Sequence, residues 1–141
     1  MTMDKMFNYC SSLISLDLSN FNTSNVYTMD YVFSDCHSLV YVNLSSFRNT
    51  NLYYMNSWFS NCYSLTSIDI SNFYIDGLDM KYFFSKCISL IIIPDISKLD
   101  IKKTNYMFKG CISLSYLSDL SLKNNSKMFD NDCLSLLNIL L

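Results

Sequence analysis

Apolar positions recur along this chain in two alternating spacings. Met29, Val32, Phe33 and Cys36 follow i, i+3, i+4, i+7, the spacing that lines one face of a helical turn. Leu39, Val42 and Leu44 follow in an L-x-x-L-x-L block that ends in period two, the mark of a short strand with one buried face. Polar segments rich in Ser, Asn and Asp, such as residues 20–25, separate the blocks and read as turns with little Gly. The succession then returns. The cysteines Cys10, Cys36, Cys62, Cys87, Cys111 and Cys133 lie 26, 26, 25, 24 and 22 residues apart. Aligned on them, Phe7, Phe33, Phe59, Phe84 and Phe108 fall three places before, and Met3, Met29, Met55 and Met80 seven before. Leu13, Leu39, Leu65, Leu90, Leu114 and Leu136 fall three after. The unit reads M-x-x-Φ-F-x-x-C-x-S-L-x-x-L-D-L-S-x-F, then a polar stretch and an apolar position at Val26, Leu52, Leu78 or Ile101.

A unit of this size cannot bury its apolar side alone; stacking three or more copies does so. The spacing therefore predicts one domain over 1–141 of about five and a half repeats: 3–28, 29–54, 55–79, 80–103, 104–125 and a partial 126–141. Each contributes one short parallel strand and one short helical turn, with strands about 4.8 Å apart. Pro94, beside an added residue, predicts a bulge or strand break in the fourth unit. The chain starts and stops inside a repeat, and Leu140-Leu141 lack the polar cap that such arrays need. A fragment of a longer array, or a divergent short member, is expected, with an open end able to self-associate end to end.

Composition follows from the template. The 141 residues include no Ala, Glu or Gln; all 12 acidic residues are Asp, with 23 Ser and 15 Asn. Long helices are excluded by the missing helix formers. Disorder is argued against by the abundance of Leu, Ile, Phe, Tyr and Met. The net charge of −2 implies no nucleic-acid partner. It is unevenly spread: seven Asp against Lys5 and Arg48 give −5 in 1–79, and five Asp against eight Lys give +3 in 80–141. Residues 1–10 carry no apolar signal-peptide segment. Runs such as 90–93 are far short of the ~20 residues of a transmembrane helix.

The combined motif resembles the BspA-like leucine-rich repeats, and more closely the bacterial surface-protein repeat of about 26 residues in mycoplasma-type lipoproteins and gut bacteria. The matching stretches are Met3–Phe21, Met29–Phe47 and Met55–Phe73, with Ile93-Pro94-Asp95-Ile96-Ser97-Lys98 matching a frequent P-D-I-S-K variant. The resemblance implies an α/β repeat fold, a right-handed leucine-rich-repeat solenoid. It also implies display at a cell surface or outside the cell, adhesion or protein binding, and no catalysis.

Each chemistry-bearing residue also has a plainer role. No C-x₂₋₄-C pair offers a zinc site. Stacked cysteines fall within disulfide distance, but parallel Cβ vectors misplace their sulfurs. A structural ladder of buried, reduced thiols is expected, with a redox or metal role the lesser alternative. Outward strand positions supply the candidate binding face: Ser15, Asp17, Tyr41, Asn43, Ser67, Asp69, Asp95, Tyr116 and Asp119. Its plainer reading is a solvated surface whose Asp side chains accept hydrogen bonds from nearby Ser. His37, the only histidine, sits at a variable position. With no Glu and no Gly-rich phosphate loop, neither a catalytic residue, a metal site nor a cofactor is expected. Tyr27, Tyr53, Tyr54, Tyr74 and Tyr116 are candidate partner anchors, and Lys98, Lys102 and Lys103 a solvated basic cluster. The expected function is a non-enzymatic binding module for a protein or glycan, with a spacer in a longer surface protein as the alternative.

Overall fold

The computed structural model describes residues 1–47, 51–73, 76–92, 94–115, 127–129 and 133. Successive repeats lie side by side and in parallel, joined by backbone hydrogen bonds between equivalent positions. The construction of these units differs from the expected one.

The segment from Met to Cys is a run of tight turns. Two residues per unit hold left-handed backbone: Lys5 and Tyr9, Tyr31 and Asp35, Ser57 and Asn61, Tyr82 and Lys86, Tyr106 and Gly110, with φ from 55° to 72°. An α-helix needs each N–H to reach the carbonyl four residues back. Here alternate N–H groups leave the unit instead. Phe33 N donates to Trp58 O at 2.9 Å and Asp35 N to Ser60 O at 2.8 Å, while Ser34 and Cys36 close turns onto Tyr31 O and Phe33 O. Those outgoing bonds and the left-handed residues exclude a helix. The expected fold class, an α/β leucine-rich-repeat solenoid with a helical turn per coil, is accordingly corrected: the described residues contain no helix, and their four strands form two separate two-stranded sheets. The i, i+3, i+4, i+7 spacing arose because a stacked turn also returns its side chains to one side every three to four residues.

Strand β1 (Ser15–Asp17) pairs with β2 (Tyr41–Asn43) in parallel register, Leu16 opposite Val42. This is the expected L-x-x-L-D-L strand, but no strand forms at 67–69 or 94–97. The break expected near Pro94 thus belongs to a wider loss of pairing. Strands β3 (Asp76–Asp79) and β4 (Asp100–Lys103) occupy the segment around the apolar positions Leu78 and Ile101, which the periodicity left unassigned. Parallel bridges Thr2–Thr28, Thr28–Tyr54 and Tyr54–Asp79 continue through Asp79–Lys103, so the residue before each unit's first position pairs along the stack, with register shifts inside the β3–β4 pair.

The core is a column of rings. Phe7, Phe33, Phe59, Phe84, Phe108 and Phe129 stack with centroids 5.3–5.7 Å apart and planes within 15°. Phe129 is the sixth member although it lies four residues before Cys133 rather than three, so alignment on Cys alone misses it. A second aromatic group surrounds Trp58, which meets Phe33, Phe47, Phe59, Phe73 and Phe83. The Trp58 indole Nε1 is buried there without a hydrogen-bond partner. Most of the partial repeat 126–141 lies outside the described residues.

Candidate functional site

Alternation along β1 and β2 places Ser15, Asp17 and Tyr41 at the surface, with Val42 buried beneath and Leu16 and Asn43 half-buried. The D-x-S element then turns the chain. Asp17 Oδ1 accepts from Ser19 N at 2.9 Å, Asn43 Oδ1 from Ser45 N at 3.1 Å, Asp69 Oδ1 from Ser71 N at 2.9 Å and Asp95 Oδ1 from Ser97 N at 3.0 Å. The Asx column is therefore first a turn former. Hydrogen bonds from Ser19, together with the Asn43 side chain, hold the Asp17 carboxyl below the usual carboxylate range. Hydrogen bonds from Ser71 and Ser97 do the same for Asp69 and Asp95. A ligand would meet carboxylates already fixed in direction.

The strand ladder stops after β2. No backbone hydrogen bond joins 41–45 to 67–71 among the described residues. A shallow cleft of about 190 Å³ opens at this interruption, lined by Tyr41, Val42, Asn43, Leu44 and Ser45 on one side and Ser67, Ile68, Asp69 and Asn72 on the other. Four of the nine binding residues expected from the sequence, Tyr41, Asn43, Ser67 and Asp69, thus converge. Ser15 and Asp17 are next door on β1, and Asp95 is exposed outside the cleft. Tyr116 and Asp119, like the anchor candidate Tyr74, lie outside the described residues. Asn72 was missed because it falls in the variable part of the unit. Exposed Ile14, Val40, Ile91 and Ile92 add apolar surface beside the strand positions; the signal was an apolar residue four places after Cys in four of the six copies.

The cysteine column has a specific structural role. Cys36, Cys62, Cys87, Cys111 and Cys133 are buried, and each Sγ approaches the Phe carbonyl of the preceding unit at 3.0–3.1 Å. The thiol donates weakly into an oxygen that the turn leaves with spare acceptor capacity. Burial pushes the Cys36 thiol up to about 11, with Cys10 adding to the effect, and raises Cys62 and Cys87 further. These thiols are poor nucleophiles. Cys10 alone among them is exposed.

A polar column six residues before Cys was not anticipated. Asp4 Oδ1 accepts from Asp30 N, Asp30 Oδ1 from Asn56 N and Asn56 Oδ1 from Lys81 N at 2.7–3.0 Å, stitching each unit to the next. Burial, then the charges of Asp4 and Asp79, raises the Asp30 carboxyl against its hydrogen bonds from Asn56. His37 stacks on Tyr63 at 4.6 Å and lies 3.8 Å from Asp35. Of the basic cluster, Lys103 pairs with Asp79 at 2.9 Å, which raises its pKa. Tyr27, Tyr53 and Tyr54 are exposed as expected of anchors. No group of three metal-ligating side chains assembles among the described residues.

A family model described as "Mycoplasma protein of unknown function, DUF285" matches residues 1–91. No curated protein and no solved structure matches the chain.

Proposed function

The chain belongs to the DUF285 family, and from that premise we propose that it is a non-catalytic binding module, meeting a protein or glycan partner at a cell surface through the β1–β2 face and the adjoining cleft. The convergence of Tyr41, Asn43, Ser67 and Asp69 on one opening carries this reading. Tyr41 supplies a large amphipathic contact. The Asx side chains are held by their own turns, so little ordering entropy is lost when a partner arrives. The exposed Ile14 and Val40 extend the contact along the neighbouring unit. Closer kinship with BspA-like repeats rests on the M-x-x-Φ-F-x-x-C-x-S-L motif, and the surface location rests on that kinship. The unbroken Phe column favours a second reading, a spacer whose partner sites lie elsewhere in a longer protein.

Biolayer interferometry with the full chain against fibronectin, laminin, collagen and a glycan array separates the two. Saturable binding that weakens about tenfold in Tyr41→Ser and Ser67→Arg supports the module. Absence of binding to every probe, or binding indifferent to both substitutions, favours the spacer.

A further inference from the structure

The position five before each Cys forms an outward column along the turn side. Lys5, Tyr31, Ser57, Tyr82 and Tyr106 occupy it in units 1 to 5. All five hold the same left-handed backbone, with φ of 55–60°. Tyr31, Ser57 and Tyr82 each donate their N–H to the next unit in the same way, to Asn56 O, Lys81 O and Asn105 O at 2.8–3.0 Å. Their side chains therefore leave the stack at equivalent points. Where two neighbours are both tyrosines they stack: Tyr82 and Tyr106 have ring centroids 5.2 Å apart and planes at 21°. One face of Tyr31 is met by the Lys5 ammonium, 5.8 Å from the ring centroid.

Ser57 interrupts this column. Its short side chain is buried, whereas Tyr31 and Tyr82 on either side stay exposed. No ring among the described residues stacks on Tyr31, or on Tyr82 from the Ser57 side. Tyr31 and Tyr82 lie two unit steps apart, about 10 Å at the usual strand spacing. A ring centred between them would sit about 5 Å from each, inside the stacking range of aromatic pairs. The gap is thus one ring thick. Polar groups stand beside it. A hollow of about 410 Å³ runs from Tyr31 past Ser34 and Asp35 to Ser60 and Asn61 of the third unit, with unit 1 on its other side. The Asp35 carboxylate accepts from Ser34 Oγ at 2.8 Å and from Asn61 Nδ2 at 2.7 Å, so carboxylate and amide are fixed in direction.

We propose that this gap is a binding site for a neutral pyranose ring of a glycan, stacked between Tyr31 and Tyr82 with its hydroxyls meeting Asp35 and Asn61. The site lies on the turn side and is separate from the β1–β2 cleft. Two requirements together set the occupant. It is a ring, because Tyr82 and Tyr106 fill the equivalent space one unit on with stacked rings. It carries hydrogen-bonding groups around its edge, because the Asp35 carboxylate and the Asn61 amide keep spare capacity there. A pyranose presents apolar C–H faces above and below and hydroxyls at its rim. An aromatic side chain of a partner protein meets the first requirement only. Asp35 and Lys5 line the hollow with opposite charges, so no net charge is asked of the ligand. Groups already held by one another lose little freedom when the sugar arrives.

Saturation-transfer NMR of the full chain with the methyl glycosides of glucose, galactose and mannose, both anomers of each, tests the assignment. Expected is transfer to the ring C–H protons of at least one, with a Kd of about 1 mM. Tyr31→Ser and Tyr82→Ser should each weaken binding about tenfold. Ser57→Tyr should abolish it by filling the gap. That variant should keep its thermal melt, because tyrosine already holds this backbone at Tyr31, Tyr82 and Tyr106. Tyr41→Ser, in the β1–β2 cleft, should leave the sugar signal unchanged, so the two sites fail separately. Absence of transfer to every glycoside overturns the proposal, and p-cresol bound there instead would assign the gap to an aromatic side chain of a protein. Sugar binding that survives Ser57→Tyr, or that neither tyrosine substitution weakens, overturns it as well.

Discussion

Each unit has two sides, and the same chain treats them differently. On the turn side, four backbone hydrogen bonds cross every boundary from unit 1 to unit 5, over a column of stacked Phe rings. On the L-x-x-L-D-L-S side, strands among the described residues are limited to β1 and β2, with only single hydrogen bonds such as Ile91 N to Thr66 O beyond them. The difference follows unit length. Phe stays three residues before Cys in five copies, whereas the step from Cys to the Met of the next unit shortens from 19 residues after Cys10 and Cys36 to 18 after Cys62. All of that variation falls outside the turn. Between Met and Phe alternate N–H groups pair one unit away, so a residue gained or lost there unpairs them, at about 1–3 kcal/mol for each buried group; the sixth copy takes its extra residue after Phe129. The strand side, closed by local Asx turns, absorbs the change and opens a cleft.

The contrast can be broken directly. One Ser inserted between Met55 and Asn56 displaces the donors Ser57, Phe59 and Asn61 and the acceptors Asn56, Trp58 and Ser60 on the two boundaries of unit 3, and cooperative unfolding in guanidinium, followed by Trp58 fluorescence, should disappear. The same insertion beside Ser45 should cost under about 1 kcal/mol. A comparable loss from both insertions would show that the two sides are equally constrained.

Truncation gives the next largest effect. Phe59→Ala removes a fully buried ring stacked between Phe33 and Phe84, and should destabilise by about 3–5 kcal/mol. Tyr41→Ala on the cleft should stay within about 0.5 kcal/mol. Denaturant midpoints measure both.

Alkaline pH sharpens the turn side alone. The folded-state thiol of Cys36 is raised from 9.0 to about 11, and Cys62 and Cys87 are raised further. A raised acid keeps its proton in the folded state while the unfolded chain ionises, so stability is fully present below pH 9 and falls as pH rises above it. The Cys36 contribution levels off above about 11. Melting temperatures between pH 8 and 11 should decline, and Cys36→Ala should flatten part of the slope. An unchanged slope in that variant would remove the thiol column from the explanation.

The smallest effect belongs to the Asx turns. Asp69→Ala loses the bond from Ser71 N and should cost under about 1 kcal/mol. Asp69→Asn should cost less, because Asn43 already makes the same bond. Asp17, Asp69 and Asp95 are lowered carboxyls, so their stabilisation is present above 3.8 and is lost as pH falls through their folded-state values.

Much of this was legible in the chain. The buried columns follow from the positions of Cys, Phe, Met and Leu, because equivalent positions in neighbouring units meet the same surroundings. Outward strand residues were legible by alternation, and Tyr41, Asn43, Ser67 and Asp69 fall together in the cleft. The helical turn was misread, since apolar spacing reports which side chains share a side and not where backbone N–H groups go. The strands around Leu78 and Ile101 were missed because only one apolar residue marks each.

The sequence by itself determined that copies of one template bury one another, that Phe, Leu and the later Cys point inward, and that no long helix forms among the described residues. Only the tertiary structure decided the rest. It sent the donors of the turn to the neighbouring unit through left-handed residues such as Tyr31 and Asp35. It gave each inner thiol a Phe carbonyl, and among the described residues it formed two two-stranded sheets, β1–β2 on one side and β3–β4 on the other. The physical reason is that side-chain periodicity is written locally, whereas a hydrogen-bond partner about 25 residues away is chosen only when the units meet.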